Sequence, residues 1–520
     1  MAESSEGTRA SLGLADVAKH YLVAQFVVFL HLAGHIRSLT TVMNRYHFIW
    51  GRRHAVALVA GMMLLGVGAA LVAWALRVLA RRLARPWLER LLGHVFVVTV
   101  LSGLLATFPS VTLLGHPTLT KVAWLAGMAA IGYSLGQPRS RLVRYAFNAC
   151  LVFSPAPFLL SPQILFWPCW EDRPRTELPR TSALGPQTPV FVFVFDEWSA
   201  KRSMCEGEFR PCLTNMRALC AQAATCHNAL SPDRDTRQSI PRLIYQTDRD
   251  FSRHGGHTYW NMGGKKVDST GVPSLFRLAH DRGYNTCMLG WYLPYSRILG
   301  DQVDYCRVYR CYPQGDTFLG EVAHVVLRSS RYWTDPISQR LRRTVAPPNY
   351  CAYRFRSNAR FRRELLDLLG RCPNNTLGIF HLFPPHAPFL WNHDGSYRGP
   401  CSEIDLPSGY ERNLRCADHL LGQIVQKLRD AGKFSDALLV VTSDHSWKSD
   451  PEPRDHEGPH WRRRVPLVIK LPGQTAPLAI DRPLCTNCLK PLFEAVFTGE
   501  RDMQRLTDIL QNLPASCSGP

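Results

Sequence analysis

Acidic and imidazole side chains follow three apolar segments of this sequence, close to the point where each segment ends. The segments are the runs 190–195, 377–382 and 437–442. The side chains that follow them are Asp196, Glu197, His386, Asp444 and His445. Carboxylate oxygens combined with an imidazole nitrogen are typical ligands of a divalent metal. The sequence therefore predicts a metal site at these segment ends, although Asp444-His445 alone also fits an ordinary turn.

A hydroxyl group that could act as a nucleophile lies in the segment 235–241, between the first and the second of these runs. Asp235 is typical of a helix N-cap, which makes Thr236 the first residue of a helix. Backbone N–H groups and the helix dipole favour an anionic oxygen at this position. A metal in contact with the hydroxyl would lower its pKa and make it nucleophilic at neutral pH. The same pattern also fits a threonine that only caps the helix.

The apolar runs are rich in strand-forming residues, and amphipathic stretches such as 355–370 and 411–431 lie between them. Continuous apolar runs are typical of central strands that are buried on both faces. Strands that alternate with helices predict an α/β fold, with a mostly parallel sheet and helices on both faces. Ligands of such sheets bind beyond the carboxyl ends of the strands, where the acids and histidines lie.

The composition excludes a disordered chain and leaves room for several domains. The chain has 520 residues, of which 46% are hydrophobic and 20% charged, and its formal charge is +20. The basic residues are scattered, and no aromatic-basic motif for nucleic acid appears. Contact with anionic lipid headgroups is therefore the expected use of the charge, and no nucleic-acid partner is expected.

The apolar residues are concentrated in the first third of the chain. Residues 54–76 and 91–114 carry no acidic side chain, lysine or arginine, and each run is long enough to cross a bilayer. Weaker apolar runs follow the same pattern at 21–36, 120–136 and 145–168. We predict an all-α transmembrane domain over residues 1–170 with five helices, or four. Buried helices of a soluble protein are the alternative, but uncharged runs of this length are rare in soluble cores.

Lysine and arginine are distributed unevenly between the two ends of these runs. Ten of them lie on the side of the N-terminus and five on the opposite side. With five spans and the N-terminus in the cytoplasm, everything after residue 170 lies outside. Every cysteine except Cys150 is at or beyond Cys169. An oxidising compartment and disulfides are expected from this distribution, and Cys485 and Cys488 are expected to be disulfide-forming, with connectivity undetermined.

The order of motifs after the proline-rich linker 171–188 resembles the sulfatase-like branch of the alkaline phosphatase superfamily. The matching blocks are VFVFVFDEWS at 190–199, TRQSIPRLI at 236–244, FRLAHDRGYNTCMLGWYLPY at 276–295, HLFPPHAPF at 381–389, VTSDHSW at 441–447 and VPLVIKLPG at 465–473. The preceding anchor is similar to that of bacterial phosphoethanolamine transferases and lipoteichoic acid synthases. The resemblance implies a catalytic domain over residues 189–500, followed by a tail at 501–520.

The resemblance also implies roles for individual residues. The expected metal ligands are Asp196, Glu197, Thr236, Asp444 and His445. The transferases use a single glutamate at the acidic pair, which favours Glu197, and they keep a threonine nucleophile where Thr236 stands. His386 matches a histidine near the transferred group, and His460 falls where a further basic or histidine side chain is expected. This ligand set suits Zn or Mn, and less readily Mg or Ca.

Two departures from the family pattern bear on the reaction. Sulfatases need Cys or Ser followed by x-P-S-R, from which formylglycine is made, whereas this chain has Thr236-Arg237-Gln238-Ser239. Formylglycine cannot be made from threonine. The second motif reads SDHSW instead of the commoner SDHG.

We therefore expect a membrane-anchored, metal-dependent phosphotransferase or phosphodiesterase that moves a phospho-headgroup from a lipid donor through a covalent phospho-threonine. The expected location is the bacterial inner membrane, with several spans and a periplasmic catalytic domain. The expected partners are membrane lipids and a lipid or glycan acceptor. A sulfatase-like hydrolase of sulfate or phosphate esters and a catalytically silent envelope protein are the alternatives. The sequence determines neither the donor, the acceptor nor the oligomeric state.

Overall fold

The computed structural model describes residues 14–40, 52–83, 86–107, 141–165, 175–176, 187–254, 257–309, 348–398, 407–450 and 461–515. The chain divides into two compact units. The first unit comprises residues 1–45, 50–171 and 314–344, and its described part is helical. The second is an α/β unit and comprises residues 46–49, 172–313 and 345–520.

The helical unit has five described helices: α1 (Leu14–Thr40), α2 (Arg52–Arg82), α3 (Pro86–Thr107), α4 (Arg141–Phe153) and α5 (Ala156–Leu165). Among the residues described, one helical segment is long and apolar enough to cross a membrane. It is Ala55–Ala80, with 26 residues and a mean hydropathy of 2.4, and it lies within α2. A shorter apolar stretch of α3 covers Leu91–Val100. The predicted span 54–76 therefore corresponds to a membrane-compatible helix.

The other predicted spans are described only in part. Residues 108–114 of the run 91–114, and all of 120–136, lie outside the described residues. The proline-containing run 145–168 is divided into α4 and α5, which are separated by the turn at Ser154 and Pro155. The number of spans stays a prediction.

Large apolar side chains are exposed on the helical unit far more than on the α/β unit. Leu71, Val72 and Leu159 are among those with more than half of their surface exposed, at 59%, 61% and 70%. In the described part of the α/β unit, Tyr397 is the only large hydrophobic residue that is exposed. An apolar outer surface is typical of helices that face lipid rather than water.

The α/β unit contains 16 described strands: β1 (Arg175–Thr176), β2 (Val190–Asp196), β3 (Met204–Cys205), β4 (Glu208–Phe209), β5 (Ala224–Cys226), β6 (Ala229–Leu230), β7 (Phe251–His254), β8 (His257–Met262), β9 (Lys265–Asp268), β10 (Asn285–Trp291), β11 (Tyr305–Tyr309), β12 (Thr376–Pro385), β13 (Leu438–Ser443), β14 (Leu467–Lys470), β15 (Leu478–Ile480) and β16 (Leu484–Cys485). Its described helices are α6 (Ala200–Ser203), α7 (Thr214–Cys220), α8 (Thr236–Tyr245), α9 (Leu275–His280), α10 (Tyr295–Leu299), α11 (Pro348–Arg371), α12 (Pro407–Asp430), α13 (Lys490–Phe497) and α14 (Met503–Gln511).

Nine of these strands form one mixed sheet in the order β1-β11-β10-β12-β2-β13-β14-β5-β15. The five strands from β11 to β13 are parallel to one another, whereas β1 pairs antiparallel with β11, and β14 pairs antiparallel with β13 and β5. The predicted strands 190–195, 377–382 and 437–442 are β2, β12 and β13, which lie side by side. The predicted α/β class with a mostly parallel sheet is confirmed.

Strand β2 shows why the sheet is covered on both faces. Its alternating valines and phenylalanines point to opposite sides, as the period of two in a strand requires. Val192 and its alternating valine neighbours pack in the core that contains α8, α9, α13 and α14. Phe193 and its phenylalanine neighbours pack in the core formed with α7, α11 and α12. Both predicted amphipathic stretches, 355–370 and 411–431, thus lie on the phenylalanine side.

Three further segments of the α/β unit bear on the sequence-based predictions. Arg175 and Thr176, within the predicted linker, form the edge strand β1 on β11. Beyond residue 500, α14 buries Leu506 and Leu510 in the same core as α13. Cys485 is a buried free thiol, so the prediction that it forms a disulfide is wrong; it lies in β16, paired with β6.

Candidate active site

The parallel strands β12, β2 and β13 bring three polar side chains to one part of the sheet. Asp196 is the last residue of β2, Asp444 follows the end of β13, and His381 lies within β12. His381 is in register with Val194, and the register shifts between Leu382 and Pro385 before β12 ends. The three side chains converge because the carboxyl ends of parallel strands share one edge.

Asp196, His381 and Asp444 form a compact and buried group of potential ligands. One ligand atom from each residue lies within 4.8 Å of the other two. Within the described residues, this is the one group of three or more such side chains that could hold a metal ion. The predicted pair Asp196 and Asp444 is thus brought together, and His381 is added to it.

Thr236 lies at the start of α8, where the sequence places it. Asp235 is the N-cap, and its carboxylate accepts a hydrogen bond from the Arg237 backbone N–H at 3.0 Å. The Thr236 hydroxyl donates to Asp444 Oδ2 at 2.6 Å and lies 3.0 Å from His445 Nε2. The hydroxyl is therefore held directly against the metal-binding group.

His445 is oriented by the backbone that follows it. Its Nδ1 lies 2.8 Å from the Ser446 carbonyl oxygen, so Nδ1 carries the proton and Nε2 carries the lone pair. Nε2 is 3.3 Å from Asp444 Oδ2 and 3.9 Å from Asp196 Oδ1. His445 thus faces both carboxylates as well as the Thr236 hydroxyl.

Two orphaned polar atoms show that these residues fit a cation. Asp196 Oδ1 and His381 Nε2 are buried and make no hydrogen bond within the described part of the chain. Leaving such atoms unsatisfied costs about 1–3 kcal/mol each, and more for a charged group. Burial, followed by repulsion from Asp444 and Glu197, raises the pKa of Asp196 well above its usual value. A divalent cation would satisfy both atoms and neutralise the repulsion between the carboxylates.

The electrostatics of the other two members follow from the same arrangement. Burial would raise the pKa of Asp444, but His445, His381 and the Thr236 hydrogen bond outweigh it, and the pKa is lowered. Burial lowers the pKa of His381 to about 4. A carboxylate and a neutral imidazole are the forms that bind metals. Mixed oxygen and nitrogen ligands agree with Zn or Mn, but the identity of the metal is not fixed by them.

Glu197 lies at the site, but it is not a member of the three-residue group. Its backbone has φ = 66°, a left-handed conformation that is uncommon outside glycine. In this conformation its N–H donates to Asp444 Oδ1 at 3.1 Å, and Tyr410 Oη donates to its carbonyl at 2.7 Å. Asp196, and not Glu197, is a member of the three-residue group that could hold a cation. A metal-binding role for the Glu197 carboxylate stays a prediction.

Of the two predicted catalytic histidines, one lies in the described structure. His386 packs edge-on against Trp291, with 5.2 Å between ring centroids, and its Nδ1 lies 2.5 Å from the Ala387 carbonyl oxygen. Burial and the nearby Arg354 guanidinium lower the pKa of His386 to about 4, so it is neutral at pH 7. Its catalytic role stays a prediction. His460 lies outside the described residues.

Sequence reasoning missed His381 as a ligand. The signal was available, because His381 is the one polar side chain in the apolar run 377–382. A polar residue in a strand that is buried on both faces needs a partner. The sequence-based prediction places the ligands after the strand ends, whereas His381 lies within β12.

A buried ion pair fixes the segment that follows Asp444 and His445. Arg202 donates to both Asp450 oxygens, at 3.0 Å and 2.5 Å, and the two side chains are 7% and 5% exposed. We expect Arg202→Ala to lower the free energy of unfolding by about 3–5 kcal/mol, because Asp450 would stay buried without its bidentate partner. Denaturant unfolding of the full-length chain, followed by tryptophan fluorescence, measures the loss.

The matched control is Arg505→Ala, which removes an arginine that is 74% exposed and lies 3.2 Å from Glu500. Exposed pairs contribute about 0–1 kcal/mol. Equal losses in the two variants would show that the Arg202–Asp450 pair does not stabilise this segment.

The fold and this site define a sulfatase-like hydrolase or transferase. The family model for Sulfatase matches residues 189–487, which is more than half of the chain. The protein therefore belongs to the sulfatase family. No curated protein sequence matches the chain significantly.

Several solved structures are similar to the chain at low sequence identity. Ps i-CgsB, solved in complex with k-i-k-neocarrahexaose, is 13% identical, with 64% of this chain and 75% of that chain covered and a TM-score of 0.41. The phosphonate monoester hydrolase of Agrobacterium radiobacter is 16% identical, with 60% and 74% covered and a TM-score of 0.37. The lipoteichoic acid synthase LtaP from Listeria monocytogenes is 15% identical, with 61% and 74% covered and a TM-score of 0.36.

Proposed function

We propose that this protein is a membrane-anchored, metal-dependent phosphotransferase or phosphodiesterase that moves a phospho-headgroup from a lipid donor through a covalent phospho-threonine at Thr236. The observation that carries the proposal is the Thr236 hydroxyl, held 2.6 Å from Asp444 Oδ2 and 3.0 Å from His445 Nε2. A nucleophile beside two proton acceptors is the arrangement that covalent catalysis requires. A threonine that only capped α8 would not need to contact both side chains.

In the first displacement, Thr236 Oγ1 forms a bond to the phosphorus of the donor, and the bond from phosphorus to the glycerol oxygen of the lipid breaks. The hydroxyl proton passes to Asp444 Oδ2 or His445 Nε2, from which Thr236 Oγ1 regains it in the second displacement. The leaving glycerol oxygen takes up a proton from water to give diacylglycerol. Asp196, His381 and Asp444 would hold a divalent cation, which would supply positive charge for the phosphate oxygens.

In the second displacement, an acceptor hydroxyl attacks the phosphorus of the phospho-threonine, and Thr236 Oγ1 leaves and regains a proton. We propose His386 as the base for the acceptor hydroxyl, because it is neutral at pH 7 and its Nδ1 proton is donated to the Ala387 carbonyl. Its Nε2 lone pair is then available to accept a proton. We propose His460 as a second histidine that contacts the transferred group. With water as the acceptor, the same residues would act as a phosphodiesterase.

A sulfate-ester hydrolase is the second candidate, and membership of the sulfatase family favours it. The formylglycine route is closed to Thr236, because that modification starts from cysteine or serine. A sulfatase reaction would therefore need threonine itself as the nucleophile. A catalytically silent protein would retain the fold without turning over either ester.

We further propose the bacterial inner membrane as the location, with the α/β unit on the periplasmic side. The helix Ala55–Ala80 and the exposed apolar side chains of the helical unit support membrane insertion. The proposed organisation is a five-helix transmembrane domain over residues 1–170, a linker at 171–188, a catalytic domain at 189–500 and a tail at 501–520. The proposed partners are a lipid donor and a lipid or glycan acceptor, because anchoring raises the local concentration of both.

The test is intact mass spectrometry of the full-length protein after incubation with phospholipid and Zn²⁺ or Mn²⁺. We expect the wild type to gain the mass of a phospho-headgroup, which identifies the donor, and Thr236→Ala to gain nothing. Thr498→Ala, at an exposed threonine after α13, is the matched control and should behave as the wild type. The same adduct on Thr236→Ala would exclude Thr236 as the nucleophile. No adduct and no phosphate-ester turnover in the wild type would favour the sulfate-ester or the silent alternative.

A further inference from the structure

Tyr295 contacts the one histidine of the three-residue metal-binding group from the side opposite to the carboxylates. It is the first residue of α10, just after the end of β10, and its side chain is completely buried. Its Oη lies 2.6 Å from His381 Nδ1, and His381 is also completely buried. The other ring nitrogen, Nε2, is 3.6 Å from Asp196 Oδ2.

Strand β10 leaves room for the Tyr295 ring at Gly290. A Cβ atom at Gly290 would lie 2.5 Å from Tyr295 Cε2 and 3.0 Å from Cζ. The first of these distances is one that real Cβ atoms essentially never show, and the ring would have to move. Glycine at position 290 of β10 is therefore required for the tyrosine to reach His381 in its present position.

The hydrogen bonds of His381 determine which of its nitrogens can bind a cation. A neutral imidazole has one N–H group, and only the other nitrogen has a free lone pair. Nε2 makes no hydrogen bond in the described part of the chain and lies 3.6 Å from Asp196 Oδ2, so it is the nitrogen placed to bind a cation. Nε2 can bind a cation only with its lone pair free. The ring proton is then on Nδ1, which donates to Tyr295 Oη at 2.6 Å.

We propose that Tyr295 is a positioning residue that fixes the ring orientation and the tautomer of His381, so that Nε2 binds the metal together with Asp196 and Asp444. This inference rests on the metal dependence in the proposed function. Partners of this kind on the second nitrogen of a metal-binding histidine orient the ligand, and their loss costs 10–100-fold in metal affinity.

The test measures Zn²⁺ binding to the metal-free full-length protein by competition with a chromogenic chelator, without any substrate. We expect Tyr295→Phe to weaken Zn²⁺ binding about 10–100-fold, because only the oxygen is removed and the ring still fills its place. The thermal midpoint of the metal-free protein is measured in parallel. The matched control is Tyr284→Phe, which removes another buried tyrosine hydroxyl, one that donates to the Val496 carbonyl at 3.3 Å.

The outcomes separate the inference from the proposed function. Weaker Zn²⁺ binding in Tyr295→Phe, with the affinity of Tyr284→Phe unchanged, supports the positioning role. Wild-type affinity in Tyr295→Phe, while His381→Ala loses binding, would overturn the inference and leave the metal dependence intact. Wild-type affinity in both Tyr295→Phe and His381→Ala would overturn it as well. If the wild type itself binds neither Zn²⁺ nor Mn²⁺, the inference and the metal-dependent part of the proposed function both fail, whereas the Thr236 adduct is tested separately.

Discussion

Thr236→Ala is expected to lower the turnover of a phosphate diester by on the order of 10⁴–10⁶-fold, the range seen when the nucleophile of a covalent mechanism is removed. The reason is geometric, since no other described hydroxyl contacts both Asp444 Oδ2 and His445 Nε2. The measurement is steady-state hydrolysis of a p-nitrophenyl phosphodiester by the full-length protein. The same assay with p-nitrophenyl sulfate compares phosphorus with sulfur at the same site.

Thr236→Ser keeps the hydroxyl at the start of α8 and is expected to retain most of the turnover. The contrast between serine and alanine separates loss of the nucleophile from loss of helix capping, because Asp235 is the N-cap and stays in both variants. Thr498→Ala serves as a control for the replacement of a threonine by alanine elsewhere. A Thr236→Ala protein that turns over the diester at the wild-type rate would refute the covalent mechanism.

Asp444→Asn is expected to weaken divalent metal binding by about a thousandfold. Two unit charges 4 Å apart interact by about 4 kcal/mol at an effective dielectric constant of about 20. Every 1.4 kcal/mol corresponds to a factor of ten in affinity, so the loss of one carboxylate charge accounts for about three decades. The Asp444 carboxylate also accepts hydrogen bonds from three donors, the Thr236 hydroxyl and the backbone N–H groups of Glu197 and His445. In Asp444→Asn a carboxamide takes the place of this acceptor.

Metal content after dialysis against a chelator, measured by elemental analysis, checks this expectation. His386→Asn is the informative control, because His386 is close to the site but is not one of the three ligands. It should keep the metal and lose turnover, whereas Asp444→Asn should lose both. Full metal content in Asp444→Asn would contradict the ligand set.

Three adjacent strands of the nine-stranded sheet could be predicted from local sequence, for a clear physical reason. Strands that are buried on both faces require continuous apolar runs, and β2, β12 and β13 are such runs. The parallel arrangement followed from the helical stretches between them. The small edge strand β1 was not predicted, because its two residues are stabilised by pairing with β11 and not by their own composition.

The helical unit could be predicted only in part. An uncharged run of sufficient length is a property of sequence alone, and 54–76 therefore matched a membrane-compatible helix. The number of spans and the orientation depend on the lipid bilayer and on how Lys and Arg are distributed between its two sides. The geometry of a single helix shows neither.

The sequence by itself predicted that Asp196, Asp444 and His445 lie at one edge of the sheet, because strand ends are local features and parallel strands share their carboxyl edge. The family resemblance added Thr236 to this group. Three things were decided only by the tertiary structure. These are the place of His381 among the ligands, the left-handed turn at Glu197 that directs its N–H to Asp444, and the approach of Tyr295 across Gly290. Each ends in a contact between residues far apart in the chain: His381 with Asp196, Glu197 with Asp444, and Tyr295 with His381. A lone polar residue in an apolar run, such as His381, shows that a partner is needed but not which partner it is.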